Sequence, residues 1–133
     1  MKVFLGGTCN ESKWREYLIK YLKIDYFNPV VEDWTEECME EEVIQRQICD
    51  YCLYTITPKM TGVYSIAEAV DDSNKKPEKT IFCLLTYELD GSTWTNSQWR
   101  SINQVGRMVE RNGGKYFTDL NDVAKYLNNM EEK

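Results

Sequence analysis

The sequence predicts an α/β fold: a three-layer, doubly wound parallel sheet of five strands with flavodoxin-like order 2-1-3-4-5. Three observations carry this. Short apolar runs alternate five times with longer amphipathic stretches. The run at residues 80–86 is apolar without alternation, as a strand covered on both faces must be. No internal repeat, linker or low-complexity segment interrupts the pattern, so residues 1–133 read as one domain.

Val3-Phe4-Leu5 is a buried-strand run that ends at Gly6-Gly7. Asn10 or Ser12 is then placed to cap a helix whose face is Trp14, Tyr17, Leu18, Tyr21 and Leu22. Residues 25–31 are rich in strand formers, and Pro29 marks an edge or a strand end. Thr35 has the chemistry of an N-cap, with Glu36 and Glu37 in the first turn, for a helix reaching about Cys49. Residues 53–57 form the third strand, stopped by Pro58, and Thr61-Gly62 leads into a helix through about Val70. Residues 71–79 read as a polar loop before the fourth strand at 80–86. Residues 87–96 are irregular, with Asp90-Gly91 as a turn. A helix over residues 95–109 presents Trp99, Ile102, Gly106 and Val109 on one face, and Asn112-Gly113-Gly114 ends it. Residues 115–117 are the last strand. Thr118 is expected to cap a final helix with Leu120, Val123, Ala124 and Leu127 inward, and residues 128–133 read as a frayed tail.

Composition excludes several chemistries. There is no histidine among the 133 residues, so no imidazole base, no Cys-His or Ser-His pair and no histidine metal ligand exists. A formal charge of −6 disfavours neutralising phosphates along a nucleic acid, so no nucleic-acid partner is expected. No run of 18 apolar residues points to a membrane. Five cysteines, an odd number at irregular spacing, read as reduced thiols in the cytoplasm. Cys49-x-x-Cys52 has redox spacing, but it falls at the amino end of a strand, where no helix dipole lowers a thiol pKa. No metal site and no cofactor are expected. The acidic run from Glu36 to Glu42 splays around its helix and reads as solvated surface. Trp94 and Trp99 are expected in the core, with a lid or an oligomer contact as the other option.

In the 2-1-3-4-5 order a ligand binds beyond the carboxyl ends of strands 1 and 3. Two loops fall there. Gly6-Gly7-Thr8-Cys9 lets a ligand approach the backbone, or is simply a tight βα turn. It has neither the G-x-G-x-x-G nor the Gly-Lys-Ser/Thr pattern. The second loop leads to Glu68, a candidate nucleophile or base whose Ser65-x-x-Glu68 spacing also fits a capping box. Asn28, at the end of strand 2, and Asp33-Trp34, just after it, are expected to flank the same cleft, Trp34 stacking on a base or lying buried or in an interface.

The strand ending in Gly6-Gly7, the Asp50 before strand 3 and the stretch Thr61-Gly62-Val63-Tyr64-Ser65-Ile66-Ala67-Glu68-Ala69 together resemble the nucleoside 2-deoxyribosyltransferase-like family. The resemblance runs from residue 2 to about residue 125. It implies that Glu68 attacks the anomeric carbon of a nucleoside or nucleotide and displaces the base. It also implies that Asp50 sits near the sugar or fixes the loop, although the sequence by itself favours a strand-start residue capping local backbone. Family members that transfer deoxyribose place an aspartate shortly before the nucleophile. Residues 59–65 hold no acid here, so Tyr64 or Ser65 is expected to take the sugar or a phosphate. The expected function is therefore cleavage or transfer at an N-glycosidic bond, the alternative a non-catalytic binding module for a nucleotide-derived molecule. A homo-oligomer is implied as well.

Overall fold

The structure, a computed structural model, describes residues 1–9 and 11–131. The chain runs β1 (Lys2–Gly7), α1 (Trp14–Ile19), β2 (Asp25–Phe27), α2 (Glu36–Ile48), β3 (Tyr51–Ile56) and α3 (Tyr64–Lys75). After a 3-10 turn, Pro77–Lys79, come β4 (Thr80–Leu84), α4 (Asn96–Arg111), β5 (Lys115–Phe117) and α5 (Leu120–Glu131). All strand pairs are parallel and the order is β2-β1-β3-β4-β5, the doubly wound arrangement the sequence predicts.

Strand periodicity splits the core in two. Val3, Leu5, Leu53, Ile81 and Cys83 face α1 and α5, where Trp14, Leu18, Val123 and Leu127 complete one apolar layer. Phe4, Cys52, Tyr54, Ile56, Phe82 and Leu84 face the other way, against Ala69 of α3 and Ile102 and Val109 of α4. Trp94 and Trp99 pack against this second layer, as core residues. Both layers are anchored in the central strands β1, β3 and β4, which are buried almost throughout.

Several boundaries differ from the sequence reading. Strand 2 stops at Phe27, short of Val31, because it is an edge strand with one partner and Pro29 cannot extend a ladder. α1 has no side-chain cap: Lys13 holds the N-cap position, and Asn10 lies outside the described residues. α3 starts at Tyr64 and continues five residues past Val70, so most of the expected loop at 71–79 is helix. Its extension is held inward by Asp72 and Ser73, which are buried polar residues. The last helix is capped by Asp119, whose carboxylate accepts from the Asn121 N–H at 2.7 Å; Thr118 precedes the cap. The helix also continues through Glu131, because Asn128 is tied to the segment after α1, and residues 132–133 of the expected tail lie outside the described residues. The Asn128 amide donates to the Tyr21 carbonyl and its oxygen accepts from the Lys23 N–H, both at 2.8 Å.

Candidate functional site

The carboxyl ends of β1 and β3 are bound together by local chemistry. Gly7 pairs with Thr55 in register and has φ +120°, a value that favours glycine. A Cβ there would overlap the Thr55 carbonyl. The next residue, Thr8, is buried; its N–H donates to the Thr55 carbonyl at 2.9 Å and its hydroxyl accepts from the Thr57 N–H at 3.0 Å. Arg15 braces the loop from below. It is 5% exposed, and its guanidinium donates to the carbonyls of Leu5, Thr8 and Gly7 at 2.9, 2.7 and 3.3 Å. It stacks on the Trp14 ring at 4.5 Å, and the Trp14 indole donates to the Thr8 carbonyl. Burial lowers the Arg15 pKa, with Cys9 and Glu42 opposing.

Against this loop stands the first turn of α3. Between them lies a pocket of about 250 Å³. Its walls are Gly7, Thr8 and Cys9 from the β1 loop, Ile56 at the end of β3, and Met60, Thr61, Gly62, Tyr64 and Ser65. The N-cap of α3 is Val63, with no side-chain cap hydrogen bond. Ser65 is therefore already inside the helix, and the Ser65-x-x-Glu68 capping box does not form.

Glu68 lies one helical turn beyond Tyr64 and Ser65, on the same side of α3, and is not among the residues lining the pocket. Its carboxylate is 3.6 Å from Arg46 Nε, with side-chain exposures of 18% and 22%. Arg46 is the hub of this junction between α2 and α3. It donates to Asp72 at 2.7 Å, to Asp71 at 3.1 Å, to the Tyr54 hydroxyl at 3.0 Å and to the Glu68 carbonyl at 3.3 Å. The Tyr54 hydroxyl in turn donates to Asp72 at 2.5 Å. Burial raises the Glu68 pKa; Arg46 opposes this, while Asp72 and Glu42 add to it. Glu42 lies one turn before Arg46 on α2, and burial raises its carboxyl too, with Arg15 opposing.

Of the residues expected at the site, Gly7, Tyr64 and Ser65 line the pocket. Gly6 lies one residue behind, where a Cβ would meet the Tyr54 ring at 2.7 Å, so it serves close packing. Three others are not brought there. Asp50 sits at the amino end of β3, roughly 20 Å from the pocket along the strand. It exchanges hydrogen bonds with the Lys2 backbone at 2.8 and 2.9 Å. The Asn28 side chain accepts from the Val30 N–H, closing a turn after β2. Trp34 is 60% exposed just before α2. Cys49 and Cys52 are buried thiols, and burial pushes Cys52 up to about 11. Sequence reasoning missed Arg15 and Arg46. The one available signal for Arg46 was an arginine amid acids on a helix face; Arg15 looked like an ordinary surface position.

A comparison with curated proteins found no match. A family model described as "Nucleoside 2-deoxyribosyltransferase like" matches residues 1–87, from β1 through β4 to Tyr87 in the segment after it. That span holds the Gly6-Gly7 loop, Arg15, Arg46, the α3 first turn and Glu68. With 87 of 133 residues matched, well over half of its length, the chain belongs to the nucleoside 2-deoxyribosyltransferase-like family.

Proposed function

We propose that this chain cleaves or transfers at the N-glycosidic bond of a (deoxy)nucleoside or nucleotide, with Glu68 as nucleophile. The observation that carries the reading is the setting of Glu68. It is a half-buried carboxylate one turn below the pocket-lining Tyr64 and Ser65, kept beside the Arg46 guanidinium. Helical side chains lean toward the N-terminus of their helix, which is the pocket side for Glu68. In the reaction a Glu68 oxygen bonds the anomeric carbon. The C–N bond breaks, and the base leaves with the electron pair and takes a proton from solvent. Water or a second base then displaces the carboxylate. Tyr64 and Ser65 supply hydroxyls for the sugar or a phosphate, and Arg15 lends positive charge beneath the Gly7 loop.

The test is release of free base from a panel of nucleosides and their monophosphates. Glu68→Gln should lower it by roughly a thousandfold or more. A wild-type protein that releases no base from any of them sinks the enzymatic reading. A second reading, a binding module, is favoured by the pocket walls, which hold no carboxylate among the described residues. A thermal shift with nucleotides and no turnover supports it.

Two wider expectations belong with this reading. All five cysteines are unpaired, which suits a reducing compartment such as the cytoplasm. No helix among the described residues is long and apolar enough to cross a membrane. Self-association is supported by α2, whose Met39, Val43, Ile44 and Ile48 are 45 to 62% exposed. Light scattering should report a multiple of 15.7 kDa, and a Val43→Lys, Ile48→Lys variant should return to one chain. A wild-type monomer at high micromolar concentration refutes it.

A further inference from the structure

A second pocket of about 280 Å³ lies on the other side of the carboxyl edge, between α1, the segment after β4 and the start of α5. One of its lining residues, Glu88, is out of character for its surroundings. Glu88 is 7% exposed, and its Oε1 has no hydrogen-bond partner. Buried carboxylate oxygens are costly to leave unpaired, so this one calls for an explanation. The backbone around it is well fixed. The Glu88 N–H donates to the Ser92 carbonyl at 2.9 Å, the Gly91 N–H returns to the Glu88 carbonyl at 3.0 Å, and Tyr87 bridges Thr93. The neighbouring cations are engaged elsewhere. Lys59 senses the Glu88 charge but binds Asp90 at 2.6 Å, and Lys13 pairs with Glu16 at 3.6 Å.

The other two buried unpartnered polar atoms among the described residues are Ser12 Oγ and Thr55 Oγ1. Ser12 adjoins Lys13 and Trp14 of the pocket wall. Thr55 shares the α1-facing side of β3 with Leu53, by strand alternation. Neither lines the pocket, so of the three unpartnered atoms only Glu88 Oε1 belongs to a residue of its wall. The walls add Trp14, Tyr17 and Tyr87, and the second acid Asp119. The lining carries two acids, Glu88 and Asp119, against one cation, Lys13, which favours a cationic ligand. Tyr17 and Tyr87 offer rings for a flat cation, and Glu88 a carboxylate for an N–H donor, while Trp14 is already stacked on Arg15. Among the described residues no group of three or more His, Cys, Asp or Glu is placed to hold a metal, so an organic cation fits better than a metal ion.

We propose that this pocket is a binding site for a small planar organic cation of the amidinium or guanidinium class, received by the Glu88 carboxylate. The site is separate from the Gly7–Ser65 pocket, and it stands whether or not Glu68 is catalytic. The probe is benzamidine, with neutral benzamide as its isostere, followed by calorimetry and by NMR. Benzamidine should bind saturably, roughly tenfold or more tighter than benzamide, and Glu88→Gln should erase that preference. Intermolecular NOEs from the benzamidine ring to Tyr17 and Leu120 of the wild type are expected, and they need no variant to fold. No saturable binding, an unchanged preference in Glu88→Gln, or NOEs that fall elsewhere would each overturn the proposal.

Discussion

A methyl group at Gly7 would have nowhere to go. The position combines φ +120° with the Thr55 carbonyl directly against it, so neither rotation nor a small shift relieves the overlap. Gly7→Ala should cost about 2 kcal/mol or more in urea unfolding and should also open the seam between the β1 and β3 loops. A cost under about 0.5 kcal/mol would mean the loop has slack. Glu68 gives the opposite sign of effect. Burial raises its carboxyl above the unfolded value, so the folded state favours the protonated form. That contribution is complete at acid pH and is lost as pH rises through the folded value. Glu68→Gln resembles the protonated side chain. It should melt above wild type at pH 7, the gap closing below roughly pH 4. A variant that melts lower at pH 7 would show that the Arg46 pairing outweighs desolvation. Such a gain in stability on removing an acid is the usual mark of a residue kept for function.

At the scale of elements, α4 is the helix whose start is best specified. Thr95 accepts from the Gln98 N–H at 3.1 Å, and the Gln98 side chain accepts from the Thr95 N–H at 3.0 Å. Thr95→Ala should lower stability by about 1 kcal/mol, read as a shift in urea midpoint at unchanged slope. No shift would mean the cap is redundant. Thr35 behaves alike at α2, and that cap was legible because a threonine before an acidic first turn is a local signal; Thr95 was read only as the start of its helix. The end of α3 was not legible, for a physical reason. Asp71, Asp72 and Ser73 have loop chemistry by themselves. They become helix because Arg46, from another helix, neutralises the two acids, and because Ser73 accepts from Asn112 at 3.0 Å and donates to the Val70 carbonyl at 2.7 Å. No window of sequence contains those partners. β2 failed for a similar reason: Val30 and Val31 favour strands, but the edge position and Pro29 leave them no ladder to join.

Across the whole molecule, strand order was readable from alternation alone, and with it the edge where a ligand belongs. Which acids gather at that edge was not. Glu68 was reachable through the stretch around it, whereas Glu88 sits in an irregular segment with no periodicity to mark it. Asp50 drew attention by sequence position yet lies at the far end of β3. The thiols carry one more consequence. Cys9 is open to solvent and Cys38 partly so, while Cys49, Cys52 and Cys83 are sealed in the two layers, with Cys83 against α1 and α5 and the other two on the opposite side. In an alkylating reagent the native chain should take up two labels quickly. The remaining three should follow only as each layer opens, a clock readable by mass spectrometry. If Cys83 and the Cys49/Cys52 pair are labelled at one common rate, the two layers open as one cooperative unit. If their rates separate, the sheet comes undressed one side at a time.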